Sequence, residues 1–171
     1  MDALDRRQAI ARRLQQSDKP LSATALAQQF DVSRQVIVGD IALLRASGTN
    51  VSATPRGYVL ESEKGGLVRT IACVHTLDKL EDELNVIVDN GCEVLDVIVE
   101  HPVYGQMKGE LRLASRYDVG CFVTKLQSTS APPLSTLTNG VHLHTVRCPD
   151  EAAFARVCAA LEKQGLLFEQ E

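Results

Sequence analysis

The chain has 171 residues, 44% of them hydrophobic and 23% charged, with a net charge of −4. This composition is ordinary for a globular protein of one or two domains, and no apolar run approaches the roughly 20 residues that cross a membrane. No apolar signal core follows the N-terminus, so we expect a cytoplasmic protein. The five cysteines are odd in number and form no Cys-x-x-Cys pair, which argues against a disulfide framework and a zinc knuckle.

The charge is unevenly distributed along the chain. Residues 1–60 contain eight Lys and Arg against five Asp and Glu, a net of +3, whereas the remaining residues have a net of −7. This asymmetry indicates a basic nucleic-acid-binding head that precedes an acidic part with a different task.

Three helices are predicted at the start of the chain. Apolar residues at helical spacing place the first helix before residues 18–20, Ser22 caps a second over residues 23–30, and Ser33 caps a third over residues 34–46. The tight turn between the second and third helices is typical of a helix-turn-helix. The start of the third helix enters the major groove in that motif, so the candidates for DNA contact are Ser33, Arg34, Gln35 and Val38.

The third helix has a further feature in its middle. Its apolar side chains that can face inward are Val36, Ile37, Ile41 and Leu44. Gly39 lies among them, although glycine costs on the order of 1 kcal/mol relative to Ala in a helix interior. We expect this position to need a close approach to DNA or to another helix.

A β-hairpin wing is predicted after the third helix. Its strands are residues 51–54 and 58–60, which flank Pro55-Arg56-Gly57. Arg56 at the tip would reach the DNA backbone or the minor groove. The alternative is a winged helix that makes protein contacts alone.

A polar stretch at residues 61–66 ends in two glycines and predicts a linker between a winged helix-turn-helix domain at residues 1–62 and a second domain at residues 67–171. The second domain has the order β-α-β-β-α-β-α of a ferredoxin-like, split β-α-β antiparallel sheet with helices on one face, so the predicted fold class is α+β. Its predicted strands are residues 67–74, 94–99, 110–113 and 141–144, its helices are residues 77–90, 117–128 and 151–164, and residues 166–168 are a possible closing strand.

The strand at residues 141–144 holds two histidines. Side chains two residues apart lie on the same face of a strand, so His142 and His144 would stand side by side while Val141 and Leu143 turn toward the core. Neutral imidazole is a common ligand of transition metals, so this pair would be half of a metal site. The alternative is the polar face of a half-buried strand.

Other donors of the same chemistry lie elsewhere in the second domain. His75 ends the strand at residues 67–74, and Glu83 lies at the border of the buried face of the next helix, where it can be a surface ion-pair member or a ligand. Cys73 and Cys148 are close in sequence to the histidines, so a thiolate ligand is also possible.

Several stretches together resemble one family of regulators. They are residues 32–38, 40–45 and 56–58, His-Pro-Val-Tyr-Gly at residues 101–105, and residues 134–144, which end in Leu-Thr-Asn-Gly-Val-His-Leu-His. Nearly the whole chain is similar to the nicotinate-responsive transcriptional repressors of NAD synthesis, in which an HTH-11 winged helix precedes a regulatory domain named 3H for its three histidines. The head stretches are shared by many regulators, whereas their pairing with the last two is much more specific.

The resemblance implies the ligands and partners of this protein. A divalent transition metal, either nickel, zinc or iron, would be held by His75, Glu83, His142 and His144. Nicotinic acid would be the effector, whose bound form holds a double-stranded DNA operator and represses genes of NAD synthesis or nicotinate uptake. Regulators of this type usually read paired half-sites, so we expect a homodimer.

The turn after the strand at residues 94–99 carries two polar side chains, His101 and Tyr104. We predict that they bind nicotinate, whose carboxylate or ring nitrogen would lie beside or on the metal. The alternative for His101 is a histidine that caps the end of the strand.

The sequence is also compatible with two other functions. Three histidines and a carboxylate could activate water in a small metal-dependent hydrolase, although no phosphate-binding glycine loop or nucleophile-elbow motif is present. In a metal sensor, the metal itself would be the signal. The function that we expect is a regulator without enzymatic activity.

Overall fold

The computed structural model describes residues 2–61 and 65–168. The chain divides into two compact units, Met1–Glu63 and Lys64–Glu171. The middle of the predicted linker, residues 62–64, lies outside the described residues.

The first unit contains three helices and a hairpin, and it confirms the predicted winged helix-turn-helix. Each helix starts where a side chain accepts a hydrogen bond from a free amide of the first turn, at Asp2, Ser22 and Ser33. The elements are α1 (Ala3–Gln15), α2 (Ala23–Phe30), α3 (Arg34–Ala46), β1 (Val51–Thr54) and β2 (Gly57–Leu60).

An apolar core and a buried ion pair hold α3 against α1. Ile10, Ile37 and Ile41 are almost fully buried, and each contributes about 1.5–3 kcal/mol by leaving water. Asp40, which α3 also turns inward, accepts a hydrogen bond of 2.6 Å from Nε of Arg6 on α1. The ion pair compensates the burial of this carboxylate and fixes the orientation of α3.

The wing is joined to the segment that precedes α2. Backbone hydrogen bonds of 3.0 and 2.8 Å link Leu21 and Tyr58 in both directions. Gly57 lies beside this contact with a φ of +139°, and a Cβ there would lie 2.5 Å from the backbone of Leu21. The close approach of these two backbone segments therefore requires glycine at this position.

The second unit is a four-stranded antiparallel sheet with three helices. Two 3-10 turns, Leu77–Lys79 and Leu134–Thr138, precede α4 and β6 respectively. The elements are β3 (Leu67–Val74), α4 (Leu80–Asp89), β4 (Glu93–His101), β5 (Gly105–Leu113), α5 (Arg116–Ser128), β6 (Val141–Cys148) and α6 (Glu151–Lys163). Leu167 adds a single bridge to Cys73 at the edge of the sheet, where a closing strand was predicted.

The strands lie in the order β3-β6-β4-β5. β6 lies between β3 and β4, the two strands that α4 connects, and β4 lies between β5 and β6, the two strands that α5 connects. Both halves are thus split β-α-β units, and the predicted α+β class with a split β-α-β sheet is confirmed. A single apolar core joins one face of the sheet to the three helices.

The orientation of β6 differs from the prediction. His142 and His144 are each 3% exposed and face the helices together with Val146, whereas Val141 and Leu143 are half-buried on the opposite face. The core therefore lies on the histidine side of the strand, where the imidazoles find polar partners.

Candidate metal centre and DNA-binding surface

Glu83 is the centre of a buried polar cluster. Its side chain comes from the first turn of α4 into the core, and the residue is 1% exposed rather than at the border of the buried face. An isolated carboxylate there would cost several kcal/mol. The structure surrounds it instead with the three histidines that the sequence singled out as metal ligands.

All three imidazoles turn Nε2 toward the Glu83 carboxylate. Nε2 of His75 lies 2.7 Å from Oε2, Nε2 of His142 lies 3.1 and 3.2 Å from Oε1 and Oε2, and Nε2 of His144 lies 3.3 Å from Oε2. The rings of His75 and His144 each meet the ring of His142 edge to face, with centroids 4.8 Å apart. Four residues, from the position directly after β3, from α4 and from β6, thus converge on one point.

The other ring nitrogen of each histidine is held by the backbone. Nδ1 of His75 donates to the carbonyl of Thr76 at 2.9 Å, Nδ1 of His142 to Gly140 at 2.8 Å, and Nδ1 of His144 to Asp96 at 2.7 Å. A carbonyl oxygen can only accept, so each Nδ1 carries the hydrogen. In the neutral rings, therefore, Nε2 has a lone pair that is directed at Glu83.

Lone pairs that face a carboxylate need a positive charge between them. In the absence of metal, protons supply it. Burial lowers the pKa of His75 and His144, but the hydrogen bond and the charge of Glu83 outweigh it and raise both pKa values above the usual range. Burial raises the pKa of Glu83, whereas the surrounding histidines, above all the charge of His144, hold this pKa well below the usual range.

The donor set also fits a transition metal. Histidine ligands usually donate their second ring N–H to a carbonyl or carboxylate, which fixes the tautomer and aims the free lone pair at the ion. All three histidines have this arrangement. Three imidazole nitrogens and one carboxylate oxygen suit zinc, nickel or iron, and the metal would replace the protons of the metal-free cluster.

Two residues that position the cluster were missed by the sequence analysis. Gly140, with a φ of +89°, allows the chain to pass so close to the carbonyl of His75 that a Cβ would collide with it. Asp96 lies at an irregularity of β4, where its carbonyl holds His144 and its Oδ1 accepts the amide of Thr145 at 3.0 Å. The turn residues Asn139-Gly140 were the only sequence signal for either role.

Cys73 also reaches the cluster. Donor atoms of Cys73, Glu83 and His142 all lie within 4.8 Å of one another. Cys148, the other cysteine that the sequence placed near a histidine, instead has its Sγ 2.6 Å from Sγ of Cys92.

The predicted effector residues lie at the junction of β4 and β5: His101 is the last residue of β4, and Tyr104 lies in the turn that follows. Nδ1 of His101 accepts the amides of Val103 and Tyr104 at 3.2 and 3.3 Å, so His101 caps the end of the strand, as its alternative role required. Nδ1 as acceptor leaves the hydrogen of the neutral ring on Nε2. The ring of Tyr104, which is 75% exposed, packs against His101 with centroids 5.0 Å apart.

The exposed face of α3 holds the predicted DNA-contacting residues. Ser33, Arg34 and Gln35 are exposed at its start, where the Ser33 side chain caps the helix, and Val38 is half-buried. Arg56 is half-buried in the two-residue turn of the wing.

Other residues of α3 widen this face. Val36 is 38% exposed, so its predicted inward orientation is wrong, and Leu43 is 54% exposed. A Cβ at Gly39 would meet no atom within 4 Å, which shows that no helix of the described structure requires glycine there. An apolar strip thus continues the polar start of the helix.

Comparisons with known proteins agree with this architecture. The HTH domain family matches residues 6–59, and the 3H domain family matches residues 68–170. The chain is 45% identical over 166 residues to "Probable transcription repressor NiaR" of Thermotoga maritima, which covers 97% of this chain and 95% of that protein. It is 43% identical over 167 residues to "Transcription repressor NadR" of Bacillus subtilis, with coverages of 95% and 93%.

The fold and these matches define a winged-helix transcription regulator with a second domain built around buried histidines. The chain belongs to the family of transcription repressors that combine an HTH domain with a 3H domain, which confirms the resemblance drawn from the sequence. The protein is therefore a DNA-binding repressor and not an enzyme, and the hydrolase alternative is set aside. In the described part of the chain, no helix has the length and apolar character to cross a membrane.

Proposed function

We propose that this repressor controls genes of NAD synthesis or nicotinate uptake, with nicotinic acid as its co-repressor. The acid binds at or near a divalent transition metal held by His75, Glu83, His142 and His144. Three imidazole Nε2 lone pairs are directed at one buried carboxylate, and this observation supports the proposed metal centre.

DNA binding by α3 follows from the exposed residues at its start. A glutamine side chain can pair with an adenine edge and an arginine side chain with a guanine edge or a phosphate, which are the roles of Gln35 and Arg34. Arg56 in the wing adds a contact to the backbone or the minor groove. Two heads in a homodimer read paired half-sites of a double-stranded operator.

The effector would act through the metal-bearing domain. The carboxylate or the ring nitrogen of nicotinate can bind the metal. The exposed turn at His101 and Tyr104 offers an N–H donor and an aromatic face to the rest of the molecule. Nicotinate can favour the DNA-binding state only by its higher affinity for that state, and linkage requires that the operator raise the affinity for nicotinate by the same factor.

The test is operator binding by the full chain at fixed salt, with a fragment upstream of neighbouring NAD-synthesis or nicotinate-transport genes. Protein freed of metal and protein reloaded with nickel, zinc or iron(II) are each titrated with and without nicotinate. We expect tighter binding with metal and nicotinate together and loss of the nicotinate response in His142→Ala. Nicotinamide is the control ligand because it has the same ring without the carboxylate.

Three results would contradict the proposal. Binding that follows the metal but ignores nicotinate would indicate the metal-sensor alternative. A nicotinate response that survives removal of the metal and His142→Ala would place the effector elsewhere. Failure to bind these fragments under every condition would exclude these genes as the target.

A further inference from the structure

The side chain of Cys73 lies on the face of β3 that is directed at the cluster of Glu83 and the three histidines. β3 pairs with β6 so that Cys73 is directly opposite His142 and Ile71 is opposite His144. Directly opposed residues of a sheet turn their side chains to the same face, so the thiol and the imidazole of His142 are neighbours. Cys73 is 0% exposed and belongs to the same buried surroundings as Glu83.

The thiol lies next to the cluster. Its sulfur lies within 4.8 Å of donor atoms of both Glu83 and His142. Two ligands of one ion lie at most about 4.4 Å apart when the metal–sulfur and metal–nitrogen bonds are about 2.3 and 2.1 Å. In a tetrahedral site these two ligands lie about 3.6 Å apart, so a closure of at most about 1.2 Å would bring the sulfur to the same ion.

The other buried cysteines have different neighbours. Cys92 and Cys148 contact each other, and Cys148 follows His144 by four residues at the far end of β6. Cys148 is nonetheless 1% exposed and faces the helices, as the histidines do. It is therefore a matched control for Cys73, since it has similar burial in the same sheet.

We propose that Cys73 supplies a thiolate sulfur to the metal ion, so that the centre combines nitrogen, oxygen and sulfur donors. This inference rests on the proposed metal centre. When the metal enters, the thiol proton leaves to solvent and the sulfur binds the metal. A thiolate favours zinc and similar transition metals over magnesium, calcium and manganese, so Cys73 narrows the class of metal that the site accepts.

X-ray absorption spectroscopy of the full chain loaded with zinc tests the assignment. We expect a sulfur neighbour at about 2.3 Å in the wild type and in Cys148→Ser, with nitrogen and oxygen neighbours alone in Cys73→Ser and Cys73→Ala. Cobalt(II) substitution gives a second readout, because a thiolate ligand produces a sulfur-to-metal charge-transfer band that Cys73→Ser removes. Zinc affinity should fall at least about tenfold in both Cys73 variants.

The outcomes separate this inference from the site on which it rests. Zinc bound by nitrogen and oxygen alone in the wild type, or a sulfur signal that survives Cys73→Ser, would overturn the role of Cys73 and leave the histidine centre intact. No zinc binding by the wild type, or zinc binding unchanged by His142→Ala, would overturn both. Circular dichroism of the metal-free Cys73→Ala variant, which keeps a small apolar side chain in the core, shows whether the fold is retained.

Discussion

Nε2 of His75 lies 2.7 Å from Oε2 of Glu83, although His75 directly follows β3 and Glu83 belongs to α4. The pair joins residues eight positions apart in the sequence and holds the start of α4 against the sheet. In the metal-free protein, this contact needs a proton on the imidazole, and in the metal-bound protein both atoms can bind the ion. The same atoms would therefore serve folding in the metal-free state and ligation in the proposed metal-bound state.

Glu83→Gln should separate these two roles. The amide keeps the size of the side chain but removes the negative charge and a strong metal ligand. We expect zinc or nickel affinity to fall at least about tenfold, because a neutral amide oxygen binds these ions poorly and leaves the histidines without their counter-charge.

Isothermal titration calorimetry of the full chain with zinc or nickel measures this loss of affinity. Glu81→Gln is the matched control, since Glu81 lies on the same helix but is exposed. Equal affinities of Glu83→Gln and Glu81→Gln would remove Glu83 from the ligand set.

The stability that the cluster gives to the metal-free protein should fall at high pH, and added metal should restore it. The pKa values of His75 and His144 are raised in the fold, so their contribution is complete below the unfolded value of 6.5 and is lost as pH rises through the raised values. The pKa of Glu83 is lowered, so its contribution is present above the unfolded value of 4.5 and is lost as pH falls below it.

Urea unfolding in chelator at about pH 5.5 and about pH 9 measures this difference. Relative to Glu83→Gln, the wild type should be more stable at the lower pH and lose much of that advantage at the higher pH. Added zinc should restore the advantage at the higher pH, because deprotonated imidazoles are then free to bind it. A wild-type advantage that grows with pH in chelator would contradict the proton-bridged cluster.

Much of this fold could be predicted from local signals. Ser22 and Ser33 mark the starts of α2 and α3, and periodicity and Gly48 mark the ends, so both helices are found at their predicted bounds. The strand at 110–113 was predicted too short, because the segment from Gly105 to Lys108 has no apolar alternation. The proposed metal ligands came from a resemblance to a family, and spacing alone left the role of Glu83 ambiguous.

Long-range packing decided what the sequence could not. The period of two in β6 places His142 and His144 on one face but does not say which face the helices cover. The choice depends on Glu83, which comes from α4 and pairs with the buried imidazoles. The central places of β4 and β6 in the sheet, and the contact of Cys73 with the cluster, likewise depend on which strands pair.

Gly39→Ala should stabilise the head and weaken operator binding. No atom lies within 4 Å of a Cβ at this position, so the fold accepts alanine and gains about 0.5–1 kcal/mol in the free energy of unfolding. If the glycine allows α3 to approach DNA closely, the added methyl group should reduce operator affinity.

Gly120→Ala is the matched control for that change. Gly120 lies within α5, where a Cβ also meets nothing within 4 Å. It should gain similar stability without loss of operator affinity. Unchanged operator binding by Gly39→Ala would show that DNA does not require glycine there.

Gln35→Ala should reduce operator affinity by about 1–3 kcal/mol if the amide reads a base, with little change in binding to unrelated DNA. Arg34→Ala should weaken both kinds of DNA, and should also lower the salt dependence if its contact is a phosphate. Fluorescence anisotropy at several salt concentrations distinguishes a base contact from a phosphate contact. Gln15→Ala, an exposed position on α1, is the control, and an equal loss on operator and unrelated DNA would exclude base recognition by Gln35.

The turn at His101 allows its capping role to be separated from effector binding. Nδ1 of His101 accepts two backbone amides, and an asparagine side chain can accept them in the same way while lacking the Nε2–H. His101→Asn should therefore preserve stability but lower nicotinate affinity, whereas His101→Ala should lower both. Tyr104→Phe keeps the ring against His101 and removes the hydroxyl, so its effect on affinity tests whether the hydroxyl binds nicotinate.

Calorimetric titration of the metal-loaded protein with nicotinate measures each affinity, and thermal unfolding measures each stability. If His101→Ala loses both stability and nicotinate affinity while His101→Asn loses neither, His101 acts as a strand cap alone. Unchanged affinity in His101→Asn and Tyr104→Phe together would move the effector away from this turn. In that case, nicotinate would bind at the metal through neighbours on α4 and β6 instead.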